Sequence, residues 1–454
     1  MKKKKLIFDI AIFTFSVDLS GVPRFTLEVL RHLRKRDNLE IVLICSLDNE
    51  AKAFLNLKQN LDVNLPFQTR EKKELIFSES DEFIKQKLII ENKRPPLLGR
   101  IKDFILSCFP QSKILRKVID FAIKIKRIII FQKQLLLNKG KSQSTSQYFE
   151  ELVMESDAYF SPFHTPIPEL SIKPSIRKAI VVYDLIPFVH PELLVSNDLY
   201  LMLQKIANYS TPDLLIFTVS ENSKRDIIHF CPKITSDQLM VIPAGASSHF
   251  HFCTDKTKIN SVLKKYDIPT DCPYIASIAA QEDRKNFAAV VYAFDKLCQK
   301  YPDKFADLRL VVTGTQTCNQ TVKMREAIDS LSDDCRRRFI YAGYVDKADL
   351  PFIYNGASCF CFMSIYEGFG LPVLEAMQCG VPVITSNTSS LPEVVGDAGI
   401  MLDPHDVEGL ADAMYRVISD ENLRKEMIAK GLEQAKKFSW DRCVDLIVEK
   451  INID

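Results

Sequence analysis

YEGFGLPVLEAMQCGVPV, residues 366–383, sets Glu367 and Glu375 eight positions apart, with Gly368, Gly370 and Pro372 between them. The run before it, ASCFCFMS, has the apolar make-up of a buried strand, so the stretch reads as strand, glycine turn, helix. Proline is tolerated where a helix begins, and Val373 and Leu374 behind it are expected to present unpaired N–H groups. Such a helix start receives phosphate, and the glycines let the backbone come close to a ligand. Carboxylates do not bind phosphate; they accept hydrogen bonds from hydroxyls. A ligand that suits both halves of the stretch carries phosphate and hydroxyls, as a nucleotide sugar does. The same residues would also make a plain strand-to-helix turn, with Glu375 simply favoured near the start of a helix.

Working outward, the same alternation recurs. KAIVVYDLI, DLLIFTVS, PYIASIAA, LRLVVTGT, RFIYAGYV and VPVITS are short β-rich runs, separated by segments long enough for helices. Near the start, LIFDIAIFTF, the turn-like DLSG, the helical PRFTLEVLRHLRKR and the strand EIVLICSL form a βαβ unit. Phe25, Val29, Leu30 and Leu33 fall on one face of that helix. The fold class is α/β, with parallel sheets covered on both faces. A chain of 454 residues exceeds one core. We expect an N-terminal domain over 1–255, a second over 256–435 and a C-terminal helix over 436–454 returning to the first. A segment at about 80–147 looks inserted.

The charge is uneven. Residues 84–141 hold fifteen Lys and Arg against three acidic residues, an excess of 15 − 3 = +12, so the remainder sums to 2 − 12 = −10. A whole-chain charge of +2 argues against a protein built to bind nucleic acid. The twelve cysteines form no C-x-x-C pair and read as reduced, buried thiols. MKKKKLIFDIAIFTF imitates an export signal, but Asp9 interrupts the apolar run, and a first β-strand is the better reading. No run is long and apolar enough to span a membrane.

E-GFGLPVL-E resembles the E-x7-E motif of the retaining family 4 glycosyltransferases. SGVPRFTLEVL, VYDLIPFVHPE, TVSENSKRDI, VIPAGAS, EDRKNF, VVTG, YAGYVDKADLPFIYNGAS, LPEVVGDAGIMLDP and KFSWDRC occur in that family's order. The resemblance covers about residues 6–40 and 150–454 and leaves the basic insert outside. It implies the GT-B architecture: two Rossmann-like parallel-sheet domains facing across a cleft.

By that resemblance Glu375 contacts the nucleotide ribose and Glu367 the transferred sugar or its reacting region. The backbone of Gly368, Phe369, Gly370, Leu371, Val373 and Leu374 would hold sugar hydroxyls and diphosphate. Arg284 and Lys285 would neutralise the leaving diphosphate. Gly21 resembles the glycine loop that closes the donor side, and its other reading is a plain turn glycine. Tyr344 and Val345 resemble positions near the nucleotide base. The chain departs from the family in two places. Ala279 stands where some members carry a second arginine, and Tyr183 replaces the histidine of a His-Asp pair, leaving Asp184 as the polar group there. His164 and His190 are acceptor-side candidates that would equally serve as structural or exposed histidines.

The resemblance further implies retention of configuration by a front-face route that needs no protein nucleophile, in keeping with the lack of a convincing Ser-His-Asp or Cys-His arrangement. Double displacement through Glu367 stays open. No D-x-D occurs, so we expect no metal and no cofactor, the nucleotide sugar being a substrate. The basic insert interleaves Lys and Arg with Ile, Leu and Phe at helical spacing, which suits an anionic membrane surface or a solvated helix packed by its apolar face. The expected partners are a GDP- or UDP-linked sugar, a glycan or polyprenyl-linked glycan acceptor, and no nucleic acid; the expected place is the cytoplasm, peripheral on the inner membrane face. A hexosyltransferase of surface-polysaccharide or lipopolysaccharide synthesis leads, with mannose the first sugar because RKN and YDLIP resemble bacterial O-antigen and capsule mannosyltransferases. A nucleotide-sugar epimerase, a phosphorylase and an inactive binding protein are the alternatives.

Overall fold

The computed structural model describes residues 3–9, 21–44, 67–68, 74–75, 150–162, 168–193, 213–279, 282–314 and 322–453. The basic segment 80–147 and His164 lie outside these residues. The chain forms two compact units, the first comprising Met1–Leu27, Arg34–Lys178 and Ile453–Asp454 and the second Glu28–Leu33 and Ala179–Asn452.

In the first unit, β1 (Lys4–Asp9) runs parallel to β2 (Leu39–Ile44), with Lys4 opposite Leu39 and Asp9 opposite Ile44. A short β3 (Phe67–Gln68) adds in parallel to β2 and pairs antiparallel with β4 (Glu74–Leu75). On the other side of β1 lies the parallel β5 (Ala158–Ser161). Leu6, Ile7 and Phe8 are wholly buried, which is what a strand with neighbours on both sides requires. MKKKKLIFD thus supplies a central strand. Gly21 is the first residue of the helix Gly21–Leu33, one step beyond the turn expected for it, a difference of the size that helix ends commonly show.

In the second unit, β6 (Arg177–Val181) begins just before the boundary and is followed by β7 (Leu214–Thr218) and the parallel β8 (Leu239–Val241). The helix Glu221–Phe230 sets Ile227 against Ile180, Val182, Leu214, Ile216 and Leu239. Ser220 starts this helix by accepting a hydrogen bond from the Ser223 amide, worth about 1 kcal/mol.

A second sheet is all parallel. Its strands are β9 (Tyr274–Ile278), β10 (Arg309–Thr313), β11 (Phe339–Gly343), β12 (Cys359–Phe362), β13 (Val383–Ser386) and β14 (Ile400–Leu402). They lie in the order β11-β10-β9-β12-β13-β14. The boundary expected at 255–256 falls between β8 and β9, inside the second compact unit rather than at its edge. One face of this sheet is covered by the helix Phe287–Lys300, whose Val290, Val291, Phe294 and Leu297 pack with Leu310, Val312 and Met414. Each such side chain contributes about 1.5–3 kcal/mol through burial. The strand order turns outward from β9 to β11 and restarts at β12 on the other side of β9. In open α/β sheets, ligands bind outside the carboxyl ends of the strands at such a reversal.

The closing helix Trp440–Ile451, capped by Ser439, packs where Gly245 leaves no room for a side chain: a Cβ there would lie 2.6 Å from Trp440 N. The described cysteines are free thiols, most of them buried. Among the described residues no helix is long and apolar enough to cross a membrane.

Candidate active site

The two loops at the reversal point carry Arg284, Lys285, Glu367 and Gly368. After β9, Asp283–Lys285 form a single 3-10 turn, and Asn286 turns the corner into the helix Phe287–Lys300 with φ 49°. Asparagine tolerates that left-handed conformation, and its side-chain amide donates to Pro404 O at 2.6 Å. This corner holds Arg284 and Lys285 at the carboxyl end of β9.

After β12, the neighbouring strand, comes Ser364–Gly370. Gly370 adopts φ 110° as the cap of the helix Leu371–Gln378, and a Cβ there would also lie 2.7 Å from Leu391. Only glycine accepts both constraints. The amides of Val373 and Leu374 return to Gly370 O at 3.1 and 3.3 Å. That corrects the expectation of two unpaired N–H groups: a helix begun at Leu371 draws both into its own first turn. Glu375 sits one turn further on and is buried.

Glu367 is the centre of the arrangement. Its buried carboxylate receives Lys285 Nζ at 2.6 Å and faces Arg284 Nη1 at 3.0 Å. Arg284 also donates to Tyr366 O at 2.6 Å and pairs with Glu282 at 2.6 Å, so its fork is engaged on three sides. Lys285 Nζ stands 5.3 Å from the centre of the Phe362 ring, a further attraction for its charge. Burial pushes the Glu367 carboxyl up, but Lys285, Arg284 and a hydrogen bond from Ser364 outweigh it and hold the group below the ordinary glutamate value. It is an ionised carboxylate inside a cationic clamp.

Asp184, in the loop after β6, completes the cluster. Its Oδ1 accepts from the Ile186 amide at 3.1 Å. A Cβ on Gly368 would lie 2.9 Å from Asp184 Oδ2 and 3.2 Å from Tyr183 O, so the glycine turn passes directly over the Tyr183–Asp184 backbone. Burial pushes the Asp184 carboxyl up; the Ile186 amide, Arg284 and Lys285 oppose this, and Glu367 adds to it. Two carboxylates therefore share one basic clamp with pKa values moved in opposite directions.

The structure brings Asp184, Arg284, Lys285, Glu367 and Gly368 together, and His190 joins at the edge, its ring 5.0 Å from that of Tyr366 and its Nδ1 2.9 Å from Glu192. Tyr183 contributes its backbone. Phe369 is buried against Phe438, with ring centres 5.7 Å apart. Tyr344, 61% exposed, and Val345, buried, follow β11, which two strands separate from β12.

Several residues that hold this site were not singled out from the sequence. The hydroxyls of SNTSS, residues 386–390, grip the loop one after another: Ser386 donates to Ser364 O, and Thr388 donates to Ile365 O at 2.8 Å. Ser389 accepts from the Glu367 amide at 2.9 Å, and Ser390 donates to Glu367 O at 2.9 Å and Phe369 O at 2.8 Å. The available signal was a cluster of hydroxyl residues directly after a buried strand, which reads as an ordinary loop when its partner segment is unknown.

With this geometry in hand, the chain can be set beside known proteins. The family described as "Glycosyl transferases group 1" matches residues 259–434, which hold both site loops of the parallel sheet. The O-antigen chain mannosyltransferase B of Escherichia coli is 32% identical over 277 residues, covering 61% of this chain and 70% of that protein. The chain belongs to the group 1 glycosyltransferases. A second relative, the serotype-specific mannosyltransferase WbdA of Escherichia coli, is 31% identical over 276 residues. That match covers 60% of this chain and 33% of WbdA, so the chain spans about a third of its length. In three dimensions, HepE of Anabaena, solved with UDP and glucose, superposes with a TM-score of 0.62 at 14% identity over 99% of each chain. The likeness shows that this group 1 glycosyltransferase has the α/β fold of the GT-B enzymes.

Proposed function

We propose that the protein is a retaining, metal-independent hexosyltransferase that moves a hexose, mannose first, from a GDP- or UDP-linked sugar to a glycan or polyprenyl-linked glycan during surface-polysaccharide synthesis. The observation that carries this reading is the buried Glu367 carboxylate, clamped by Lys285 and Arg284 at the sheet reversal and lying against Asp184. The mannosyltransferase relatives support the choice of sugar, and a similarly folded protein solved with UDP supports a nucleotide-linked donor.

In the proposed reaction the bond between the anomeric carbon and the diphosphate oxygen breaks while the acceptor oxygen attacks from the same face. The acceptor proton passes to the departing diphosphate, so charge and atoms balance without a protein nucleophile. Lys285 and Arg284 stabilise the negative charge that grows on the diphosphate, work that matters most in a water-poor site. Glu367 keeps these cations in place and accepts from sugar hydroxyls. Asp184, whose carboxyl burial pushes up, is the polar group on the acceptor side. Glu375 accepts from the ribose hydroxyls, and the positive end of its helix favours the phosphate. The two cations take the role that D-x-D and a metal play elsewhere. The basic segment 80–147 suits a peripheral site on the cytoplasmic leaflet, where a lipid-linked acceptor would be met.

The test is turnover of GDP-mannose and UDP-glucose in a chelating buffer with a lipid-linked glycan acceptor, with the product's anomeric configuration read by NMR. Transfer with retention supports the proposal. An inverted product, or an absolute need for a divalent cation, removes the corresponding part of it.

A further inference from the structure

The loop that carries Glu367 is tied to a helix belonging to the other group of strands. The first-turn amides of an α-helix have no partner within the helix. In the helix Glu221–Phe230 two of them are met from outside: the Glu221 amide donates to Glu393 Oε2 and the Asn222 amide to Glu393 Oε1, each at 2.7 Å. A carboxylate is favoured there by the helix dipole, and hydrogen bonds to a charged acceptor are about twice as strong as neutral ones.

A second tie starts from the same helix turn. Tyr366 OH donates to the Asp226 carboxylate and accepts from Asn222 Nδ2 at 2.6 Å, while that amide also donates to Asp226 Oδ2 at 3.2 Å. Ser223 Oγ reaches Gly368 O at 3.4 Å. Glu367 therefore lies between two residues, Tyr366 and Gly368, that are both held by this helix. Its own backbone is held by Ser389 and Ser390, and three residues further along the chain Glu393 returns to the same helix. The ties close a ring.

We infer that Glu393 and Asn222 are positioning residues that make the placement of Glu367 conditional on the seating of helix Glu221–Phe230. The six-stranded sheet carries the catalytic loop and the β6–β8 group carries the helix, so the loop is fully set only while the two are engaged. The inference rests on reading Glu367 as a donor-site carboxylate, and its test is arranged so that the two can fail separately.

Glu393→Ala, Glu393→Gln and Asn222→Ala are compared with wild type in steady-state turnover, in calorimetric binding of the nucleoside diphosphate and in amide hydrogen exchange. Glu393→Ala is expected to lower kcat by about ten- to hundredfold, the effect of losing charge-assisted hydrogen bonds, while the nucleotide Kd changes by less than about threefold. Exchange should quicken in 366–369 as well as at residues 221 and 222. Glu393→Gln, which keeps an acceptor, should recover part of the loss. Combining Glu393→Ala with Tyr366→Phe should cost less than the product of the single effects, since both open one ring. Unchanged exchange in 366–369, or a loss of kcat and of nucleotide affinity together with overall stability, overturns the inference and leaves Glu393 a plain helix cap. Should the wild type turn over no nucleotide sugar, the donor-site reading falls, and the exchange at 366–369 still decides whether the loop depends on the helix.

Discussion

Replacing Lys285 by methionine keeps most of the side-chain volume and removes the charge that lies 2.6 Å from Glu367. Lys285 is 17% exposed and Glu367 9%, so solvent screens the pair weakly. At an effective dielectric constant of about 20, the attraction at this distance is about 6 kcal/mol, against a desolvation cost of several kcal/mol per ion. Deleting one partner of a buried pair costs about 3–5 kcal/mol because the other charge stays buried. Arg284, still 3.0 Å from Glu367, keeps the expected loss at the lower end, about 3 kcal/mol at neutral pH. The pH dependence follows from Glu367, whose folded pKa lies below the ordinary 4.5 despite the upward push of burial. A depressed carboxylate contributes stability above its unfolded pKa and loses it as pH falls through the folded value. The gap between wild type and Lys285→Met should therefore be full at neutral pH and shrink below about pH 4.5. Urea unfolding followed by the fluorescence of Trp440, the single tryptophan and a buried residue of the second unit, reads this directly. Equal stability at neutral pH, or a gap that does not change with pH, refutes the buried clamp.

Two further outcomes are expected. Asp184→Asn should stabilise the protein at neutral pH while lowering turnover. Burial, with the charge of Glu367, raises the folded pKa of Asp184, so the wild type loses stability as pH rises from 3.8 through that value and the amide does not. The urea midpoints should converge in acid, and a variant less stable at neutral pH would contradict the assignment. Gly368→Ala should cost about 1–3 kcal/mol and abolish most turnover, because its Cβ would press on Asp184 Oδ2 at 2.9 Å and Tyr183 O at 3.2 Å. A variant with wild-type kcat would show that the glycine turn need not pass so close to Asp184.

Much of this was legible in the sequence because the signals were local. VPVITS, ASCFCFMS and PYIASIAA are long enough to show a buried strand, and each contains one, β13, β12 and β9. Ile400–Leu402 and Leu239–Val241 are strands of three residues, too short for any period to appear. RKN pointed to Lys285 and Arg284, yet the sequence said nothing of their partners. Arg284 reads as a free cation, whereas in the fold Glu282, Glu367 and Tyr366 O already occupy its donors. The supports of the site were hidden for the same reason. Ser390 lies 23 residues from Glu367 and Asn222 lies 144 from Tyr366, and only the folded chain makes them neighbours.

The clamp of Lys285, Arg284 and Glu367, with Glu375 one turn into the neighbouring helix, is proposed to hold a nucleotide sugar. Calorimetric titration of the full chain with GDP and with UDP in a chelating buffer, repeated with Glu375→Ala, tests it most directly. One nucleotide is expected to bind, without metal, and the substitution to weaken it by at least about tenfold, or about 1.4 kcal/mol, the loss of a carboxylate hydrogen bond. Binding of neither nucleotide, or an affinity unchanged in a folded Glu375→Ala variant, would contradict it.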